Sequence, residues 1–144
     1  MSATLSEESQ AAYNEIKAKY LQLEAAVNNH FPKVDSKLVR DVLMHTTNAS
    51  DASRLFSVEI LAKEGTSSEK ARDYFITKTG KVPAAYEKGT HFLVNVKLTF
   101  ELLKDIQSYP EVEYITGGYV GTTSSVQQTH LHRGRDERSR IVDE

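Results

Sequence analysis

The side chains that could do chemistry in this chain are few, and their spacing matches no common catalytic motif. The sequence has no cysteine, which excludes thiol nucleophiles, disulfides and thiolate metal sites. It also has no G-x-S-x-G nucleophile elbow and no G-x-x-x-x-G-K-[ST] or G-x-G-x-x-G phosphate loop. We therefore predict a protein that is not an enzyme and that carries no cofactor.

One candidate metal site lies near the C-terminus, where His130 and His132 are close in sequence to Asp136 and Glu137. Imidazole and carboxylate groups bind divalent metals, but a protein site also needs ligands that other residues hold in place. The surrounding segment, residues 123–144, has too few apolar residues to offset the entropy lost on ordering. We interpret it as a disordered polar tail and predict no metal site.

Phe56, Lys88 and Phe92 are the candidates for a nucleic-acid platform. RNA recognition motifs carry a Lys/Arg-Gly start followed by rings on their third strand, and here the lysine is Lys88 and one ring is Phe92. Thr90 and Asn95 stand where other stacking rings belong. We favour the interpretation that Phe56 and Phe92 belong to the core, and we keep an RNA-binding module as an alternative.

Length and charge limit the remaining possibilities. The chain has 144 residues, a formal net charge of −2 and a pI near 6.2, so no overall positive field attracts nucleic acid or anionic lipid. The polar, acidic N-terminus lacks the features of a secretory signal. No run reaches the ~18 apolar residues of a membrane span. We expect a cytoplasmic protein with neither a membrane nor a nucleic acid as partner.

The first fifty residues predict a helical hairpin. One helix starts near Thr4 or Ser6 and stops before Pro32, and a second starts at Asp35 or Ser36. The first helix carries an apolar seam with alternating steps of three and four. We favour packing of the two helices on each other and on the following domain, and we leave self-association through the first helix open as an alternative. The seam consists of Tyr13, Ile16, Tyr20, Leu23 and Val27.

Residues 54–122 predict a single α+β domain of the ferredoxin-like βαββαβ type, with two helices on one face of an antiparallel sheet. The glycine-rich run Gly117–Gly121 reads as a flexible exit from this sheet. The predicted elements are a strand Leu55–Leu61, a helix from Thr66 or Ser67 to Gly80, an edge strand Val82–Tyr86, a hairpin turn Glu87–Thr90, a strand His91–Leu98, a helix Phe100–Ser108 and a strand Glu111–Val120.

Between Arg54 and Thr122 the chain resembles the subtilisin-propeptide-like family of peptidase inhibitors. The closing motif of that family is a helix followed by Asp or Asn, Pro, an acidic residue, Val, any residue, Tyr and Val. The stretch from Tyr109 to Ile115 is similar to it, with Tyr109 in place of the usual Asp or Asn. The other segments that carry the resemblance are Phe56–Leu61, Gly80–Val82, Ala84–Tyr86 and Val94–Leu103.

The resemblance implies a protein that inhibits or chaperones a subtilisin-type serine protease. The sheet would dock on the protease, and the segment after the last strand would lie extended in the substrate cleft. That segment would be Gly118, Tyr119, Val120, Gly121 and Thr122. A self-associating regulatory domain that senses a small ligand is a further alternative, because ferredoxin-like folds host several functions.

Overall fold

A computed structural model describes the backbone of residues 2–121, and their side chains except those of residues 2–5 and 88. The chain divides into two compact units, one ending at Pro32 and the other beginning at Lys33. The first unit contains helix α1 (Ser2–His30). This helix has no internal Gly or Pro, and Pro32, which cannot donate a helical hydrogen bond, follows its last turn.

The second unit is an α+β domain with a four-stranded antiparallel sheet, as the sequence predicted at this coarser level. The strands lie in the order β2-β3-β1-β4, so β1 occupies an interior position with β3 and β4 as its neighbours. In chain order the elements are α2 (Ser36–His45), β1 (Leu55–Ala62), α3 (Ser68–Thr79), β2 (Ala84–Tyr86), β3 (His91–Lys97), α4 (Phe100–Gln107) and β4 (Val112–Gly121), with a 3-10 turn at Glu87–Gly89 between β2 and β3.

Each helix of this unit is preceded by a residue whose side chain accepts a hydrogen bond from a free backbone N–H group of the first helical turn. Asp35 accepts from Lys37 N–H at the start of α2, Ser67 accepts from Lys70 N–H at the start of α3, and Thr99 accepts from Leu102 N–H before α4. Gly80 ends α3 in the left-handed conformation, with φ 73°. Short-range chemistry therefore sets these helix ends.

One face of the sheet is packed into the core. Phe56, Val58 and Ile60 of β1 are buried, and each stands opposite an apolar residue of β3 on the same face. The Phe75 ring of α3 lies edge-on to Phe92 at 5.2 Å between centroids. The helices supply the facing layer, with Leu38, Val39 and Val42 from α2, Ala71 and Phe75 from α3, and Leu103 and Ile106 from α4.

Helix α2, which the sequence grouped with α1, belongs to the unit that contains the sheet and packs on β4. The segment before it adds a short parallel pairing to β4, because Asp35 N–H donates to Ile115 O and Ile115 N–H donates to Lys33 O, both at 2.8 Å. The apolar face of α2 is therefore buried within this unit. A hairpin of α1 with α2 stays a prediction.

The glycine-rich run that we interpreted as a flexible exit is part of strand β4, which continues to Gly121. Gly117 is needed there because its φ is 151° and because a Cβ at this position would overlap the Ser57 carbonyl oxygen of β1. The Cβ of a residue at Gly118 would meet nothing closer than Asp41 Oδ2, at 3.5 Å. The first of the two glycines permits the close pairing of β4 with β1.

We predict that Gly117→Ala lowers the free energy of unfolding by roughly 2–4 kcal/mol, because the added methyl group displaces backbone atoms of β1 and strains φ. Gly118→Ala is the matched control and should change stability by less than about 1 kcal/mol. Urea unfolding followed by circular dichroism measures both. Equal losses in the two variants would contradict this account of β4.

The loop between α2 and β1 is organised by the carboxylate of Asp51. It accepts hydrogen bonds from Thr47 N–H at 2.8 Å and Ser53 N–H at 3.0 Å. The side chain of Ser53 and the backbone N–H of Thr47 lower the pKa of Asp51 from 3.8 to about 2. The ionised form of this side chain is therefore the one that stabilises the loop.

A carboxyl group whose pKa is lower in the folded than in the unfolded protein stabilises the folded state. For Asp51 this contribution is present above the unfolded pKa of 3.8 and is lost as the pH falls toward the folded pKa of about 2. We predict that Asp51→Asn is less stable than the parent at neutral pH and that the gap closes between about pH 4 and pH 2. Unfolding midpoints measured for both proteins over this pH range provide the test. A gap that stays constant with pH would refute the assigned role.

Candidate interaction face of the sheet

The four strands expose the side of the sheet that is opposite the core. We call it the open face. Direct pairing across the strands places Glu59 beside Leu93 and Thr116, and Leu61 beside His91 and Tyr114. It comprises Leu55, Ser57, Glu59 and Leu61 of β1, His91, Leu93, Asn95 and Lys97 of β3, Tyr114, Thr116 and Gly118 of β4, and Ala84 and Tyr86 of β2.

Apolar side chains on the open face remain accessible to solvent. Leu93 is 37 % exposed and Tyr114 is 41 % exposed, and Tyr86 at the β2 edge is exposed as well. Polar groups stand between them, as in protein interfaces, where apolar anchors alternate with polar residues. The arrangement can bury apolar area against a flat partner surface and offer hydrogen bonds around it.

A histidine and a glutamate contact each other on this face. His91 Nδ1 lies 3.1 Å from Glu59 Oε2, and both side chains are partly exposed. His91 also borders an open groove of about 550 Å³ at this end of the sheet, which is lined by Leu61, Ala62, Glu64, Gly65, Thr66, Glu87, Thr90, His91 and Glu113. Within residues 2–121, no three His, Asp or Glu side chains are grouped so that they could hold a metal ion.

The alternative prediction of a nucleic-acid platform is wrong for both of its rings, which do not lie on the open face. Phe56 and Phe92 are completely buried on the core side, where Phe56 packs against the Tyr119 ring and Phe92 against Phe75. Neither ring can stack on a base from the open face. The side chain of Lys88 lies outside the described residues.

The segment assigned to a protease cleft lies largely within the sheet. Gly118, Tyr119 and Gly121 of β4 pair with β1, and Thr122 lies outside the described residues, as does the tail of residues 123–144. Val120 occupies a register shift between Tyr119 and Gly121 and is 39 % exposed. The regular pairing of β4 with β1 is therefore interrupted at Val120.

Tyr119 is held by two ring contacts and by one backbone hydrogen bond. Its ring stacks on His45 of α2 with centroids 3.7 Å apart and meets Phe56 edge-on at 5.6 Å. Its backbone N–H donates to Asp41 Oδ2 at 3.3 Å. No pattern in the sequence indicates that Asp41 and His45 are partners of β4, because the apolar positions of α2 show only which face is buried and not what that face contacts.

No helix among residues 2–121 is both long enough and apolar enough to cross a membrane. No family model, no curated protein and no solved structure matches the chain.

Proposed function

We propose that this chain is a non-enzymatic protein-interaction domain of the ferredoxin-like type, and in its most specific form a propeptide-like inhibitor or chaperone of a subtilisin-type serine protease. The element order β1-α3-β2-β3-α4-β4 and the strand order β2-β3-β1-β4 support the fold assignment. The resemblance between Arg54 and Thr122 supports the class of partner.

The observation that carries the proposal is the open face. An antiparallel sheet with one dry face often keeps a solvated face that is mostly polar, but this one retains Leu93, Tyr114 and Tyr86 in accessible positions. Burying such side chains in a partner contributes most of the energy in a typical interface, with the polar neighbours excluding water around them. The protease surface would be the partner, and the sheet would dock through this face.

The contacts of Tyr119 reduce the number of residues that would enter the substrate cleft. Its stacking on His45 and its hydrogen bond to Asp41 favour a Tyr119 that stays in the sheet during docking. Val120 is at the register shift, and Gly121 has φ 107°. In this proposal Gly121 gives up its pairing with Leu55 on docking. Val120, Gly121 and Thr122 then lead the chain into the cleft, where it pairs with the protease as an added strand.

We predict that Leu93→Asp and Tyr114→Asp each raise the inhibition constant for subtilisin by about tenfold or more, because a charge would be desolvated in the interface. Met44→Asp on α2 is the matched control, since Met44 is 74 % exposed and lies on a helix outside the open face. Hydrolysis of a chromogenic peptide measures inhibition, and circular dichroism verifies folding. Unchanged inhibition in both face variants would reject docking through the sheet, and an absence of inhibition by the parent at micromolar concentration would reject the inhibitor.

We predict that a chain ending at Gly121, which retains every described helix and strand, loses inhibition by about tenfold or more but still binds the protease through the open face. Calorimetric titration against active-site-blocked subtilisin measures the remaining binding. A shortened chain that inhibits as well as the full chain would show that no residue after Gly121 enters the cleft. Loss of all binding would mean that the open face contributes too little by itself.

A further inference from the structure

Helix α1 carries an apolar seam that is open to solvent. Tyr13, Ile16, Tyr20 and Leu23 are between 47 % and 68 % exposed, although all four are large and apolar. Their steps of three, four and three residues place them at alternating a and d positions of two heptads, on one side of the helix. Val27, the next a position, is already buried, so the accessible seam ends at Leu23.

We infer that this seam pairs with the same seam of a second copy, in a parallel two-stranded coiled coil. A seam of heptad spacing is narrow and self-complementary, so a symmetric dimer buries it in both copies at once. An isolated helix also gains little stability from propensity alone, and pairing supplies the missing packing. The inference concerns α1 alone and does not depend on the proposed protease.

The charges beside the seam select the orientation. With Tyr13 and Tyr20 at a, Lys19 occupies a g position and Glu24 the following e position. In a parallel dimer in register, Lys19 of each copy lies beside Glu24 of the other, which gives two attractive pairs. Lys19 is within reach of such a partner, because it is largely exposed and its contact with Glu15, at 3.3 Å, is a surface pair of low energy.

The antiparallel arrangement that uses the same four residues is unfavourable. It places Tyr13 opposite Leu23 and Ile16 opposite Tyr20, and the flanking positions then bring Lys17 against Lys17 and Lys19 against Lys19 of the other copy. Like charges at these positions oppose pairing. Charge complementarity therefore favours the parallel form.

The area available makes the dimer weak and concentration-dependent. Four side chains that are about half exposed provide on the order of 400 Å² per helix, below the area of a standard interface. Association should appear between about 10 and 300 µM. A parallel dimer carries two copies of the second unit on one coiled coil, which would let it engage two partner molecules.

The test compares the full chain with two single variants by sedimentation equilibrium at 10 to about 300 µM. We expect Ile16→Asp to weaken dimerisation by about tenfold or more, because it buries a charge in the seam. Leu21→Asp is the matched control: Leu21 is 52 % exposed on the same helix but occupies a b position outside the seam, and the change should be within about twofold. A monomer at every concentration, or a dimer equally strong in Ile16→Asp, would overturn the inference.

Charge reversal tests the register. Lys19→Glu alone and Glu24→Lys alone should each weaken the dimer, because every pair becomes repulsive, and the double variant should restore it. Single variants that dimerise as well as the parent would overturn the assigned pairs. A dimer that Leu93→Asp disrupts and Ile16→Asp does not would place the contact on the open face and overturn the role of α1.

The cysteine-free chain allows a direct test of orientation. Ser9 occupies a d position, so a parallel dimer in register places it opposite its counterpart, within the span of a disulfide. Ser9→Cys should cross-link under mild oxidation, whereas Ala11→Cys, at an outward f position, should not. A dimer in which neither or both variants cross-link at the same rate would overturn the parallel arrangement.

Discussion

Strand β1 lies between β3 and β4 and pairs with both along most of its length, and the rest of the second unit depends on this double pairing. Its alternating side chains place Phe56, Val58 and Ile60 on one side of the sheet, where all three are buried in the core. The pairing with β4 requires a close approach of the two backbones at Gly117. A side chain at position 117 would overlap the backbone of β1 and weaken the pairing of the two strands.

The outer edge of β4 is satisfied by residues that precede the sheet in sequence. Lys33 and Asp35 bond to Ile115, while Asp41 accepts from Tyr119 N–H. Unpaired strand edges can pair with the edges of other chains and cause aggregation. The residues from Lys33 to Asp41 cover part of the β4 edge. The core face and part of the β4 edge are therefore occupied within the unit, whereas the open face stays accessible to solvent.

Two of the exposed apolar surfaces among the described residues, the open face and the seam of α1, differ in form. The open face is broad and mixes apolar with polar side chains, which suits a partner of complementary shape. The seam of α1 is narrow and periodic, which suits a second helix of the same spacing. A protein that pairs through α1 and docks through the sheet would combine self-association with partner binding on separate compact units.

The order of helices and strands after Asp35 was set by local signals that the sequence displays, because capping residues, Gly80 and the period-two alternation of β1 and β3 act over a few residues. Those signals predicted an α+β domain with an antiparallel sheet and the burial of Phe56 and Phe92. Only tertiary structure decided that α2 packs on β4, that Asp41 and His45 hold Tyr119, and that the backbone of β4 approaches Ser57 of β1 closely at Gly117. These features depend on which segments, far apart in sequence, come close together in space. The pattern of residue types along the chain does not specify those contacts.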